Sequence, residues 1–173
     1  MTDAPPGIEI RRATEGDLLR IHALEVEALR SVPGPDAPPP PSEDQYDPEA
    51  WSHFLRSCEG SFWVAEAAGG GLAGFGCSYV RGDVWFLSHL FVRPASHGRG
   101  LGSALLRRCL LQAERRSARV LSTCSAARNL VSVSMYSRAG MAPRVPLLLL
   151  EGPLGAFRPG MGNAVRGAAG PGG

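Results

Sequence analysis

Val84-Trp85-Phe86-Leu87-Ser88-His89-Leu90-Phe91-Val92, followed by Arg93-Pro94-Ala95-Ser96-His97-Gly98-Arg99-Gly100-Leu101-Gly102-Ser103, decides how this chain is read. The first nine residues are bulky, apolar and bounded by turn signals, the pattern of a buried strand. The segment from Ala104 to Ser117 has apolar residues at helical spacing. Between them three glycines alternate at a strand-to-helix junction. Glycine allows a tight turn and a close approach to the main chain. The first turn of a helix adds unpaired N–H groups and a partial positive charge. A loop of this kind is an anion site, most often for phosphate.

Three phosphate loops share this outline. A Walker loop needs a lysine after its second glycine, and all 18 basic residues here are arginine. A dinucleotide fingerprint starting at Gly98 and Gly100 needs a third glycine where Ser103 stands, and an acidic residue about 20 positions on. Both are missing. The third is the acyl-CoA loop of the GNAT superfamily of N-acetyltransferases, Gln/Arg-x-x-Gly-x-Gly/Ala after a strand ending in Val and Pro. Val92-Arg93-Pro94 and His97-Gly98-Arg99-Gly100-Leu101-Gly102 resemble it closely, with His97 in place of Gln or Arg. A second segment, Asn129-Leu130-Val131-Ser132-Val133-Ser134-Met135-Tyr136-Ser137-Arg138-Ala139-Gly140-Met141, resembles the later motif of that family. Asn129 is a helix cap, Tyr136 lies two turns along, and Gly140 suits a left-handed helix end. The resemblance covers residues 8 to 151.

The resemblance implies a chemistry. The expected cofactor is acetyl-CoA, and the expected reaction is direct attack of a primary amine on its thioester. The main chain of Gly98, Arg99, Gly100, Leu101, Gly102 and Ser103, with His97, would hold the diphosphate. The backbone of Leu90, Phe91 and Val92 would hold the pantetheine arm and polarise the carbonyl, with Asn129 and Tyr136 completing the cofactor site. Tyr136 would protonate the departing thiolate. For the base, the strand before the loop has no carboxylate. His89, Ser88 acting through water, and Glu66 on the neighbouring strand all remain open. By alternation His89 shares a face with Trp85, Leu87 and Phe91, so it is equally read as a core residue. A catalytically degenerate acyl-CoA-binding or scaffolding domain is the alternative function.

Composition narrows the rest. Residues 1–83 hold 14 acidic residues and six arginines, a net charge of −8, whereas residues 84–173 hold two and 12, a net +10. The positive half carries the glycine loop and suits a polyanion; the negative half suits a cationic acceptor. That acceptor, a small molecule or a peptide amine, is expected to contact the proline-rich stretch from Ser31 to Asp47. Basic and aromatic residues are not interleaved on one face, so no nucleic-acid role is expected. No run of 18 apolar residues occurs, so no membrane span is expected. Cys58, Cys77, Cys109 and Cys124 lack metal-ligand spacing, which predicts no metal site, and a reducing cytoplasm is the simplest compartment. A homodimer is compatible with all of this.

Periodicity and turn signals predict the order β-α-α-β-β-β-α-β-α-β. Strands are expected at Ile8–Ala13, Ser61–Ala67, Leu72–Arg81, Val84–Val92, Arg119–Cys124 and Arg144–Glu151. Thr14 with Asp17 reads as a capping box for a helix reaching Arg30, and Asp47-Pro48-Glu49 as the start of the next. Arg108, Gln112, Arg115 and Arg119 read as the polar ridge of the third. The fold class is α/β in the mixed-sheet sense: a central, mostly antiparallel sheet with splayed strands and flanking helices. Residues 1–158 are expected to form one domain, and the Gly- and Ala-rich residues 159–173 a disordered tail.

Overall fold

The computed structural model describes residues 4–31, 42–58, 60–126 and 129–144. The expected strand from Arg144 to Glu151 lies outside them beyond its first residue, as does the tail, and all described elements fall within Met1–Pro143, one of two units into which the chain divides. The elements are β1 (Ile8–Arg12), α1 (Leu18–Arg30), α2 (Pro48–Ser57), β2 (Phe62–Ala67), β3 (Leu72–Arg81), β4 (Val84–Val92), α3 (Leu101–Arg115), β5 (Val120–Thr123) and α4 (Leu130–Arg138). The five strands lie in the sheet in chain order. The first four pair antiparallel, and β5 joins β4 in parallel. The class matches the expectation, and so does the order of elements as far as α4.

Each face of the sheet has its own core. Leu18, Ile21 and Leu24 of α1 pack with Phe62, Val64, Phe75 and Cys77 on one side, with Trp51 and Phe54 of α2 beside them. Leu101, Leu105, Leu106 and Cys109 of α3 pack with Trp63, Ala65, Trp85 and Leu87 on the other, with Met135 and Tyr136 of α4 against them. Gln112 departs from the expected polar ridge: it is only 7% exposed. Its Nε2 donates to the Cys58 carbonyl at 2.9 Å and its Oε1 accepts from Ser78 at 3.0 Å, so its burial is matched by hydrogen bonds.

Two irregularities shape the sheet. The register against β3 slips between Cys77–His89 and Ser78–Leu87, which leaves Ser88 without a partner. An extra residue in one strand is a β-bulge, and it inverts the alternation beyond it. Trp85 and Leu87 therefore face α3, whereas His89 and Phe91 face α1 and α2, where both rings meet Phe75. The expectation that His89 shares a face with Trp85 and Leu87 is thus corrected. The second is a register slip against β2, between Ala65–Gly74 and Glu66–Leu72, which leaves Ala73 without a partner; at Gly74 beside it a Cβ would lie 2.9 Å from the Phe91 carbonyl oxygen and 3.1 Å from Leu105 Cδ1.

An ion cluster fastens β1 to α1 and β2. Asp17, its side chain 4% exposed, takes two 2.8 Å bonds from Arg11. It also accepts from the N–H and hydroxyl of Thr14, the reach-back half of the expected capping box. Arg11 and Arg20 both continue to Glu66. The Arg11 guanidinium, with Thr14, holds the Asp17 carboxyl below the usual carboxylate range, and Arg20 and Arg11 lower that of Glu66. Asp17→Ala leaves a guanidinium facing a vacated buried site. It should destabilise the fold by about 3 kcal/mol, the lower end for breaking a buried pair, because Arg11 keeps Glu66. Urea unfolding measures this. Because the folded carboxyls titrate lower than the unfolded ones, this stabilisation is complete at neutral pH. It disappears as pH falls below about 4 toward the folded-state values.

Candidate active site

Strands β4 and β5 fork. Their paired positions run from Val84–Val120 to Leu87–Thr123. At the last of these Thr123 Oγ1 donates to the Leu87 carbonyl at 3.0 Å. Beyond it β4 continues through Ser88 to Val92 with no strand on that side among the described residues. An unpaired strand edge presents N–H and C=O groups to whatever lies along it.

The glycine loop stands at the open end of the fork. Gly98 and Gly100 have φ of +72° and +79°, the left-handed region that only glycine enters without strain. A Cβ on either would meet nothing within 4 Å, so the space above the loop is free. The first backbone bond into α3 runs from Ala104 N–H to the Gly100 carbonyl at 3.1 Å. The N–H groups of Gly100, Leu101, Gly102 and Ser103 have no backbone acceptor among the described residues. Leu101 is buried in the α3 core and contributes only its main chain. A Cβ on Gly102 would make ordinary contacts with Met135 Sδ at 3.5 Å and Val92 Cγ2 at 3.7 Å. His97 ties the loop to the strand: its Nε2 lies 2.8 Å from the Val92 carbonyl. A carbonyl only accepts, so Nε2 carries the hydrogen, and that carbonyl already has one partner. Arg99 reaches back to the Pro6 carbonyl.

Tyr136 approaches the fork from α4, packed against the α3 core. Asn129 caps that helix, its side chain accepting from Ser132 N–H at 3.1 Å, and Gly140 ends it at φ +87°. Burial raises the Tyr136 phenol above its ordinary value, and the nearby hydroxyls of Ser132 and Thr123 offset part of the rise. Tyr136 is therefore fully protonated at neutral pH.

On the other face, the bulge sets His89 among Trp51, Phe54, Phe75 and Phe91, with ring centroids 5.0 to 6.1 Å away. Its side chain is still 27% exposed, and its Nε2 lies 3.4 Å from Glu25 Oε1 on α1. Its Nδ1 is buried without a hydrogen bond. Glu25 was not among the residues singled out from sequence, because nothing in a helix pattern tells which acidic residue meets a strand 64 positions away. Glu66 is removed as a base: two arginines hold it, and its lowered titration makes it a weak proton acceptor. Ser88 is the bulge residue, next to His89. The expected acceptor stretch lies partly outside the described residues, and within them Asp47 caps α2 by accepting from Glu49 and Ala50 N–H.

No helix among the described residues is long and apolar enough to cross a membrane.

The profile of the acetyltransferase (GNAT) family matches residues 24–141. Among curated proteins none matches the sequence. Solved structures resemble it in fold. A GCN5-related N-acetyltransferase from Sphaerobacter thermophilus aligns with a TM-score of 0.61 at 22% identity, over 82% of this chain and 43% of that one. The PaiA N-acetyltransferase from Thermoplasma acidophilum, solved with coenzyme A, aligns at 0.62 and 17% identity, over 76% of this chain and 87% of that one. The ribosomal-protein-S18-alanine N-acetyltransferase of Escherichia coli gives 0.57 and 22%, over 77% and 76%. The chain thus spans less than half the length of the Sphaerobacter protein. With the profile extending from within α1 to the residue after Gly140, across the loop and the fork alike, this chain belongs to the acetyltransferase (GNAT) family.

Proposed function

We propose that this chain transfers an acetyl group from acetyl-CoA to a primary amine by direct attack. The observation that carries the proposal is the fork. A strand edge opens after Leu87 beside unpaired N–H groups at the start of α3. The donor set fits the coenzyme: main-chain N–H groups suit a diphosphate, the left-handed glycines leave the approach clear, and this half of the chain carries the net positive charge. Bound there, acetyl-CoA supplies the thioester on which the amine acts.

The chain's own residues divide the remaining work. The N–H groups of Gly98 to Ser103 hold the diphosphate, and the edge from Leu90 to Val92 orients the pantetheine arm. The His89–Glu25 pair, Nε2 and Oε1 3.4 Å apart, takes the amine proton. Tyr136 gives its hydroxyl proton to the departing sulfur. The acceptor enters from the α1–α2 face, where Glu25 lies beside the strand, so a cationic amine is favoured.

The test is thiol release from acetyl-CoA with a panel of small and peptide amines. Turnover with at least one amine is expected, and Glu25→Gln should lower kcat about tenfold with KM for acetyl-CoA unchanged. Coenzyme binding without turnover for any amine identifies a scaffolding domain instead.

A further inference from the structure

A second collection of positive charge lies away from the fork. A cleft of about 180 Å³ opens where β1 ends, β2 begins and α3 finishes. Trp63 floors it, and Arg12, Arg108 and Arg115 surround it. The Arg12 guanidinium lies over the indole at 4.1 Å from the ring centroid, and Arg108 stands at 5.7 Å. Gly60, at φ +76°, makes room: a Cβ there would come within 2.5 Å of Arg12 Nη1. Gln112 is 11 positions beyond Leu101, about 16 Å along the helix axis, so the cleft is separate from the glycine loop.

The donors gathered at this cleft lack a counterpart. No carboxylate of the described residues lines it. Arg12, Arg108 and Arg115 make no ion pair or side-chain hydrogen bond with a described residue. Trp63, 9% exposed, buries its Nε1–H without an acceptor. Native interiors rarely leave such a donor unmatched. Burial, and then the charge of Arg115, lower the Arg12 guanidinium, a tension that an anion would relieve. Every unmatched group is a donor, and three are cationic forks suited to a planar or tetrahedral oxyanion.

We propose that the cleft over Trp63, between Arg12, Arg108 and Arg115, is a binding site for a phosphate-class oxyanion, distinct from the coenzyme site. The volume holds a phosphate group and several waters, each of which occupies about 30 Å³ in the liquid. The ligand is either free phosphate or the phosphoryl group of a larger molecule. The site does not depend on the transferase reading.

The indole N–H resonances of the full chain provide the test. Inorganic phosphate, phenyl phosphate and sodium chloride are titrated at matched ionic strength. One indole signal, assigned by its loss in Trp63→Phe, should shift saturably with both phosphates and not with chloride. Arg108→Gln, at a half-buried position, and Arg115→Gln, at an exposed one, should each weaken the midpoint on the order of tenfold. Tighter binding of phenyl phosphate marks the phosphoryl group of a larger ligand, and equal binding marks free phosphate. A non-saturating shift equal to that of chloride, or midpoints unchanged in both arginine variants, overturns the proposal.

Discussion

Tyr136→Phe should lower kcat between about 10² and 10⁴-fold, the range for losing a positioned acid, while leaving KM for acetyl-CoA within about twofold. The ring stays, and with it the packing of α4 on the α3 core. Only the hydroxyl at the fork goes. The direction of its titration supports the role: burial raises the phenol, so the proton is present throughout the neutral range. The sign of the pH effect follows. An acid works only while protonated, so activity through Tyr136 should persist to above about pH 10, the ordinary tyrosine value, and then fall. Tyr136→Phe should lack that alkaline limb. Steady-state kinetics of both proteins across pH measures it. A variant that keeps its rate would assign the leaving proton to water, and Tyr136 to packing.

The second large effect is expected at the glycine loop, where two neighbouring glycines make opposite predictions. At Gly100, φ +79°, any other residue is strained by roughly 1–2 kcal/mol, and a β-branched one more. The Cβ of Gly100→Val would point into space the protein leaves empty. If that space receives a diphosphate, coenzyme affinity should fall by more than about 100-fold, a loss of about 2.7 kcal/mol in binding that comes on top of the strain on folding. Gly102 sits within α3, and its Cβ would touch only Met135 and Val92 at ordinary distances. Gly102→Ala should therefore bind coenzyme nearly as well and melt no lower, since alanine favours helix by up to about 1 kcal/mol. Calorimetric titration of both variants, with thermal melts alongside, separates lost binding from lost folding. Equal affinities for the two would place the ligand elsewhere.

How much of this was legible in the sequence varies with the range of the interaction. Local signals read well. Asp47-Pro48-Glu49 opens α2, Asn129 and Gly140 bound α4, and β3 and β4 have the expected limits. Capping and turn chemistry act over a few residues, so residue type is enough. What failed was parity and partnership. The bulge at Ser88 turns His89 to the opposite face, and nothing in an unbroken apolar run marks where an extra residue will sit. Gln112 looked like surface because its two partners, Ser78 and the Cys58 carbonyl, come from distant segments. Glu66 looked like a free base because Arg11 and Arg20 are 55 and 46 positions away. In the site, the cradle of main-chain donors was readable from glycine spacing, whereas Glu25 beside His89 required the packed helix.

The claim beneath the whole account is that coenzyme A lies along the open edge of β4 with its diphosphate on the first turn of α3. Amide spectra of the uniformly labelled protein during coenzyme A titration test it directly. The account predicts saturable shifts concentrated at Gly98 to Ser103 and at Leu90 to Val92. Saturable shifts confined to other residues, or none at millimolar coenzyme, would contradict it.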